Sequence, residues 1–401
     1  MSIVRAMSTT GAIVAVLLLG GCNLDVPAPV VGPAPQHVAE RFVAAPAGYR
    51  LEPWVGNLEA PWSLVFLPDG RALVSERPGR IRLIRDGKLV AAPYASFEVA
   101  SGAEGDLLGS FLSVFASGEG GLLGLAVHPD FPRAPFIYAM QTYKAADGVR
   151  NRVIRLRDEG DHGSFDRVIF DGIPGFTFHD GGRIGFGPDG MLYVATGETF
   201  KPELAQDLSS PAGKILRLTP EGGVPADNPF PGSPVYSYGH RNPQGLAWEP
   251  RSGALFASEH GPTGEFGLSA HDEINVIRAG GDYGWPRVVG APGLAGFVDP
   301  ILVWPTRAVP PAGLTFHGGD LFVATLGGGL VRIELTTENG GFAVAGVEHW
   351  FARGPDDPVL GRLRDVVEGP DGALYILTSN RDGRGDPQAG DDHIYRLAPT
   401  K

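Results

Sequence analysis

The stretch Ile184-Gly-Phe-Gly-Pro-Asp-Gly-Met-Leu-Tyr-Val-Ala-Thr196 places two alternating apolar segments on either side of a Pro-Asp-Gly turn. Proline fixes one backbone angle of such a turn, and glycine adopts the positive φ that other residues avoid. Apolar segments with period-two alternation around a tight turn are typical of a β-hairpin. This stretch therefore predicts two antiparallel strands.

The same pattern occurs six times along the chain, and the other five copies cover residues 64–75, 125–139, 246–258, 314–325 and 366–378. Equivalent apolar positions follow one another at steps of 51 to 68 residues, which leaves room for two further strands per unit. Radial repetition of four-stranded units is the architecture of a β-propeller. We therefore predict an all-β fold, a six-bladed β-propeller with four antiparallel strands per blade. A β-sandwich with coincidental turns is the alternative.

The composition favours a turn-rich β protein with one core. The 401 residues include 59 glycines and 36 prolines, both of which disfavour helices, and 43% of the residues are hydrophobic. The net charge of −12 and the lack of a basic tract argue against nucleic acid as a partner. We expect the strand over 393–397 to close the ring, so that residues 46–401 form a single catalytic domain.

The first 22 residues have the pattern of a targeting segment. Arg5 precedes an apolar stretch over 11–20 that is too short to span a bilayer. The stretch ends at Leu19-Gly-Gly-Cys22, which resembles a bacterial lipoprotein signal, in which the cysteine is lipidated after cleavage. An ordinary secretory signal with a chance cysteine is the alternative. Residues 23–45 are rich in Pro, Ala and Val, so we expect a flexible tether.

The cysteine and the residue after it predict the location of the protein. Cys22 is the single cysteine of the chain, which excludes a disulfide framework and leaves it available as a lipid anchor. Asn23 follows it rather than aspartate, and by bacterial lipoprotein sorting habits this favours the outer over the inner membrane. The expected location is periplasmic, with a lipid anchor in the outer membrane.

Polar clusters next to the predicted hairpins are candidates for chemistry, because propeller loops gather at the ends of the axis. His179-Asp-Gly-Gly-Arg183 precedes the third hairpin, and histidine is the commonest general base near neutral pH. Glu198 follows the paired strand of the same hairpin, so its carboxylate is expected to reach and orient His179. A histidine on a surface loop is the alternative.

Arginines in two further clusters suggest an anionic ligand. Tyr238-Gly-His-Arg-Asn-Pro-Gln-Gly245 contains Arg241, whose guanidinium binds an anion or a carbonyl oxygen through fixed donors. Arg362 and Arg364 lie two positions apart, which places them on one face of a strand, where they are suited to a polycarboxylate. A structural turn network and a solvated strand face are the alternatives.

A third set of loops suggests a metal ion, because it combines carboxylates, carbonyls and a tyrosine. These loops are Glu259-His-Gly-Pro262, His271-Asp-Glu-Ile-Asn275 and Tyr283-Gly-Trp-Pro286. Such oxygen ligands suit a hard cation such as Ca²⁺, with solvated acidic loops as the alternative. No G-x-G-x-x-G motif follows a strand and opens a helix, so a dinucleotide-binding domain is not supported. A G-x-S-x-G nucleophile elbow is missing from the sequence.

Together these clusters resemble the PQQ-dependent aldose sugar dehydrogenases, of the soluble quinoprotein glucose dehydrogenase family. These are six-bladed propellers that use pyrroloquinoline quinone (PQQ) and Ca²⁺. The matching stretches keep their order over most of residues 50–398. The resemblance implies oxidation of an aldose, a small-molecule substrate, at its anomeric carbon to a lactone. A hydride passes to the quinone, and a periplasmic or membrane acceptor takes the electrons.

The resemblance also implies a role for each matched position. His179 takes the proton of the anomeric hydroxyl, Glu198 orients it, and Arg241 stabilises the charge that builds up during transfer. The implied cofactor-binding positions are Glu119, Arg241, Asn242, Thr306, Thr325, Leu326, Arg362 and Arg364. The implied metal positions are the carbonyls of Gly261 and Pro262 for the Ca²⁺ that polarises PQQ, and Asp272, Glu273 and Tyr283 for a second, structural Ca²⁺.

Four features depart from the family pattern. Glu119 occupies a position that is usually glutamine, Gly327 one where a cofactor-binding lysine is common, and Glu198 replaces an aspartate. The loop over 259–272 is several residues longer than usual. Two other functions therefore stay open, namely a non-enzymatic propeller that binds a sugar, glycan or protein, and a Ca²⁺-dependent lactonase.

Overall fold

The computed structural model describes residues 27–36, 38–100, 118–338 and 340–400. The predicted lipoprotein signal over 1–22, with Cys22, lies outside the described residues. The described part is almost entirely β-structure, with two 3-10 helices at Pro202–Ala205 and Glu265–Gly267. Within it, no helix is long and apolar enough to cross a membrane.

Six antiparallel sheets follow one another along the chain, and we number them blades 1 to 6. Blade 1 consists of Pro61–Phe66, Ala72–Glu76, Arg80–Arg85 and Lys88–Ser96. Blade 2 consists of Leu122–Val127, Phe136–Ala145, Gly148–Asp158 and Gly163–Pro174. Blade 3 consists of Ile184–Phe186, Leu192–Thr196, Lys214–Leu218 and Val235–Tyr238.

The second half of the chain completes the set of blades. Blade 4 consists of Pro243–Trp248, Leu255–Glu259, Asp272–Ile277 and Leu302–Trp304. Blade 5 consists of Pro311–His317, Asp320–Thr325, Leu330–Glu338 and Gly341–Trp350. Blade 6 consists of Leu363–Glu368, Leu374–Thr378, Ile394–Pro399 and, from the start of the domain, Tyr49–Val55.

The first strands of the blades form an inner ring. Each first strand contacts the first strand of the next blade, and that of blade 6 contacts that of blade 1. Tyr49–Val55 pairs antiparallel with Ile394–Pro399, so the two ends of the domain share one blade. This radial arrangement leaves only short, protected sheet edges. The predicted six-bladed propeller with four antiparallel strands per blade is confirmed, as is its closure by the C-terminal strand.

The repeated hairpin forms as the turn chemistry predicts. In blade 3, Phe186 pairs with Leu192 across the Pro-Asp-Gly turn, and Gly190 in that turn has a φ of 74°. The second strand of the hairpin, Leu192–Thr196, is buried along its whole length. Blade 2 packs on one of its faces through Tyr138 and Val153, and blade 4 packs on the other through Leu246 and Ala257. The apolar cores between blades therefore hold the loops at the ends of the axis in place.

The segment predicted as a flexible tether over 23–45 is in part fixed to the propeller. Glu40–Val43 adds a fifth, parallel strand to blade 5 beside Gly341–Trp350. The Glu40 carboxylate accepts a hydrogen bond from Trp304 Nε1 at 3.2 Å and pairs with the guanidinium of Arg307. The outer edge of blade 5 offers unpaired backbone groups, which explains why this segment pairs there. Val30–Val31 also pairs, parallel to Val288–Val289. The expectation of a flexible tether is thus wrong for residues 30–31 and 40–43.

Candidate active site

His179 lies on the connection between blades 2 and 3, with only 5% of its surface exposed. Its Nδ1 is 2.5 Å from Glu198 Oε1, so the structure brings the predicted base and its predicted orienting residue together. The ring also stacks on Phe200, with 4.3 Å between centroids and 12° between planes. The backbone of His179 has a φ of 62°, a conformation that few non-glycine residues adopt. The hydrogen bond to Glu198 and the stacking on Phe200 therefore fix the orientation of the imidazole ring.

The hydrogen bond to Glu198 fixes the tautomer of the histidine. A carboxylate only accepts, so Nδ1 carries the hydrogen and Nε2 is left as the acceptor. The second oxygen of Glu198 is buried and has no hydrogen-bond partner among the described residues. The pair is thus arranged to take up one proton at Nε2 and to hold the resulting charge.

Arg241 and Asn242 lie on the connection between blades 3 and 4. Arg241 is 2% exposed, and its Nη1 donates to the carbonyl oxygen of His260 at 3.2 Å. Burial by itself lowers the pKa of Arg241, but the nearby carboxylates of Glu265 and Glu198 raise it above its usual value. Arg241 therefore holds a fixed positive charge close to His179.

Glu265, which the sequence does not single out, provides the counter-charge. Its Oε1 accepts a hydrogen bond from Arg241 Nε at 3.0 Å. Burial by itself raises the pKa of Glu265, but Arg241 and His179 lower it to about 2. Potential ligand atoms of His179, Glu198 and Glu265 lie within 4.8 Å of one another. The unusual length of the loop over 259–272 is the one signal in the sequence for this contact.

The two arginines predicted to grip a polycarboxylate share a carboxylate in the structure. Arg362 donates to Asp382 Oδ2 from Nε at 3.0 Å and from Nη2 at 2.8 Å, and Arg364 Nη2 lies 3.7 Å from the same oxygen. Arg364 Nη1 donates to Gln244 Oε1 at 3.0 Å, while its buried Nε has no partner among the described residues. Burial lowers the pKa of Arg364 to about 9, which indicates that it lacks sufficient negative charge nearby.

Two more arginines, which sequence reasoning missed, complete this group. Arg77 Nη2 donates to the main-chain oxygen of Asp382 at 3.0 Å, and Arg384 Nη1 donates to Glu119 Oε1 at 3.3 Å. We call Arg77, Arg362, Arg364 and Arg384 the arginine cluster. The four guanidinium groups of this cluster converge on Glu119 and Asp382. The cluster therefore favours a ligand with several negative charges.

The remaining predicted cofactor positions differ in their exposure and in whether they line a cavity. Leu326 lines a cavity of about 550 Å³ together with Gly327, Arg362 and Arg384. Thr325 is buried, and its hydroxyl donates to the carbonyl oxygen of Gly329 at 2.9 Å within blade 5. Thr306 is exposed on the loop that follows blade 4. Of the three, Leu326 thus has the clearest access to the cavity.

Four of the five predicted metal positions line one small cavity of about 20 Å³, a volume that holds a single water molecule or ion, and they are Gly261, Pro262, Glu273 and Tyr283. The two predicted Ca²⁺ positions are therefore neighbours. The phenol of Tyr283 donates to the carbonyl oxygen of Val276 at 2.7 Å, which leaves its main-chain carbonyl as its candidate ligand.

Asp272, the fifth predicted metal position, is hydrogen-bonded to backbone amides instead. Its Oδ1 accepts from the amide of Gly261 at 3.0 Å, and its Oδ2 accepts from the amide of Val309 at 2.7 Å. Both oxygens are therefore used to hold the two loops together. Asp272 is not among the residues that line the small cavity.

The charge at this cavity favours a cation. Burial, and then the negative charge of Glu259, raise the pKa of Glu273 well above its usual range. Glu259 is itself hydrogen-bonded to a histidine, since its Oε2 lies 2.8 Å from His240 Nδ1. Two carboxylates close together in a buried position are unfavourable unless a proton or a cation is bound.

Comparisons with known proteins agree with this architecture. The sequence model of the family described as Glucose / Sorbosone dehydrogenase matches residues 58–395. The aldose sugar dehydrogenase YliI of Escherichia coli (strain K12) is 33% identical over 372 residues, which cover 85% of this chain and 92% of that protein.

Two solved structures are also similar. The putative oxidoreductase (glucose dehydrogenase) of Thermus thermophilus is 52% identical, with a TM-score of 0.78 over 88% of this chain and 100% of that one. The PQQ-bound aldose sugar dehydrogenase of Streptomyces coelicolor is 39% identical, with a TM-score of 0.73 over 88% of this chain and 99% of that one. The family match and the relatives confirm the resemblance, so the chain belongs to the Glucose / Sorbosone dehydrogenase family, a family of PQQ-dependent sugar dehydrogenases.

Proposed function

We propose that this protein oxidises an aldose at its anomeric carbon to a lactone, with PQQ and Ca²⁺ as cofactors. The observation that carries the proposal is the buried pair of His179 and Glu198, with 2.5 Å between Nδ1 and Oε1. In a member of a sugar dehydrogenase family, such a pair is suited to deprotonate a hydroxyl group.

Side chains of the protein carry out the proton transfer. Nε2 of His179 accepts the proton of the anomeric hydroxyl, because Nδ1 is occupied by the hydrogen bond to Glu198. The Glu198 carboxylate stabilises the imidazolium that forms, as the acid of a catalytic triad does. Arg241 supplies fixed positive charge where negative charge develops on an oxygen.

The residues of this structure fit PQQ, which carries three carboxylates. The arginine cluster brings four guanidinium groups together, and the Arg364 Nε and His260 Nε2 atoms are buried without a partner among the described residues. Arg362 and Arg364 would hold cofactor carboxylates, and Arg241 and Asn242 would hold quinone oxygens. When bound, PQQ supplies a quinone carbon that accepts the hydride of the sugar.

Calcium fits the small cavity for the same physical reason. Glu273 supplies a carboxylate, and carbonyls of Gly261, Pro262 and Tyr283 are hard oxygen ligands of the kind that Ca²⁺ prefers. The carbonyls of Gly261 and Pro262 would hold the ion that acts as a Lewis acid on the cofactor, and Glu273 and Tyr283 would hold a second, structural ion.

Reconstitution tests this function. We expect purified protein with PQQ and Ca²⁺ to reduce a dye when given aldoses, and to release the corresponding lactones. His179→Ala should lower kcat by about 10²-fold or more while PQQ still binds, because it removes the base. Equal activity of His179→Ala and wild type would contradict the assignment. Lactone hydrolysis without PQQ would instead favour the lactonase.

The location remains part of the proposal. We propose that Cys22 is lipidated, and that the domain lies in the periplasm on the outer membrane and passes electrons to a periplasmic or membrane acceptor. Cys22→Ser should then shift the protein from the outer-membrane to the soluble fraction. The same distribution for both forms would contradict the anchor.

A further inference from the structure

Glu119 holds two residues of the candidate active site in place. It lies just before the first strand of blade 2, and its main-chain amide donates to the carbonyl oxygen of Thr177 at 2.8 Å. Its Oε2 accepts from the backbone amide of His179 at 3.0 Å and from Asn242 Nδ2 at 3.3 Å. One carboxylate oxygen thus connects the predicted base with a predicted cofactor-binding amide.

The other oxygen of Glu119 pairs with a positive charge from blade 6, on the other side of blade 1. Oε1 accepts from Arg384 Nη1 at 3.3 Å, although the two residues are 265 positions apart. Arg384 lies on the loop between the second and third strands of blade 6, and its guanidinium sits 5.0 Å from the centre of the Phe178 ring. The side chains of Arg384 and Glu119 are 34% and 17% exposed, so the pair is partly shielded from solvent.

The charge state of Glu119 follows from these contacts. Burial by itself raises the pKa of Glu119, but Arg384 and then His179 and His260 bring it far below its usual range. Glu119 is therefore ionised at neutral pH. An unpaired carboxylate at this position would repel any anion held by the arginine cluster, because Coulomb repulsion is strong where water is partly excluded.

We propose that Arg384 is a positioning residue for the anionic cofactor and acts by neutralising Glu119. The Glu119–Arg384 pair has no net charge, so it retains the hydrogen bonds of Glu119 to His179 and Asn242 without repelling carboxylates. This inference rests on the proposed function, since it requires that the site binds PQQ.

A direct contact of Arg384 with the ligand is the competing explanation. Arg384 lines the cavity of about 550 Å³ together with Arg362 and Leu326, so its guanidinium is near the predicted cofactor slot. The two explanations differ in one respect. If Arg384 acts through Glu119, removing both charges restores binding, whereas a direct contact is lost in either case.

A double-mutant cycle on PQQ binding separates them. The Kd for PQQ with Ca²⁺ is measured by quenching of tryptophan fluorescence in wild type, Arg384→Gln, Glu119→Gln and the double variant. We expect Arg384→Gln to raise Kd about tenfold or more, and Glu119→Gln to change it by less than about threefold. The double variant should return to within about threefold of Glu119→Gln.

Controls keep the result interpretable. Arg384→Lys retains the charge and should keep most of the affinity, and Arg353→Gln, on an exposed loop, should match wild type. Melting temperatures show whether each variant folds. An unchanged Kd in Arg384→Gln, or a double variant as weak as that single variant, would overturn the inference. Failure of wild type itself to bind PQQ would overturn the proposed function instead.

Discussion

At the scale of single residues, the neighbours of His179 decide what its loop can do. Asp180, the next residue, is 1% exposed, and its Oδ1 accepts from Asn151 Nδ2 at 2.8 Å and from the amide of Phe176 at 3.1 Å. Its second oxygen is buried without a partner among the described residues. Burial, which outweighs these hydrogen bonds, raises the pKa of Asp180 to about 7.

This shift predicts a pH dependence of stability. An exposed aspartate carboxyl has a pKa of 3.8, whereas the carboxyl of Asp180 has a pKa of about 7 in the folded protein. The protonated form therefore stabilises the fold fully below about pH 4, and this contribution is lost as the pH rises towards about 7. Because asparagine cannot ionise, Asp180→Asn should melt several degrees above wild type at pH 8, with a smaller difference at pH 4.

Thermal melts between about pH 4 and 8 measure this difference. The exposed Asp356→Asn serves as the control and should follow wild type throughout. A difference between Asp180→Asn and wild type that does not change with pH would show that Asp180 does not titrate in this window.

At the scale of elements, the loop over 260–271 joins two strands of blade 4, and its backbone departs strongly from the conformation of a regular hairpin turn. Phe266, Ala270 and His271 adopt positive φ values, which cost free energy unless contacts enforce them. The ring of Phe266 packs edge-on against Trp285 at 5.8 Å, and this contact helps to set Glu265 on Arg241. The loop thus places the Glu265 carboxylate against the guanidinium of Arg241, a predicted cofactor-binding residue.

Glu265 should therefore compete with an anionic ligand for Arg241. Glu265→Gln weakens that competition, so we expect its Kd for PQQ to fall about threefold to tenfold. The exposed Glu338→Gln is a matched control without a contact to the site. Weaker binding by Glu265→Gln would instead mean that Glu265 holds Arg241 in the conformation that the ligand requires.

At the scale of the whole molecule, stability depends on closing the ring. Tyr49–Val55 supplies the fourth strand of blade 6, whereas Glu40–Val43 only adds a fifth strand to blade 5. A closed propeller keeps the inner strands in contact, and through them the loops that carry His179, Arg241 and Arg364.

Truncations separate the two segments. A chain that begins at residue 46 should fold and lose only a few degrees of melting temperature. A chain that begins at residue 57 lacks Tyr49–Val55, which leaves Ile394–Pro399 with an unpaired edge, so we expect aggregation or a loss of about 10 °C or more. Circular dichroism melts and size-exclusion chromatography distinguish these outcomes. Equal melting of both truncations would contradict a closing role for this strand.

The sequence by itself determined the parts of the protein that local patterns encode. Alternating apolar residues around Pro-Asp-Gly turns specify strands over a dozen residues, so the hairpins and their number were predictable. His179 and Glu198 were predictable as a pair because they are 19 positions apart at two ends of one hairpin. The prediction of a flexible tether over 23–45 was wrong at residues 30–31 and 40–43, because parallel pairing with distant strands leaves no local signal in the sequence.

Only the tertiary structure decided which charges meet in the site. Glu119 meets Arg384 across 265 positions, and Glu265 meets Arg241 through an irregular loop. The arginine cluster joins residues of blades 1 and 6 around Asp382. Such contacts exist only after the ring has closed, because the repeated hairpin pattern places the strands of each blade but does not specify which loop side chains meet between blades. The free energy of burying these charges is then set by their neighbours in space.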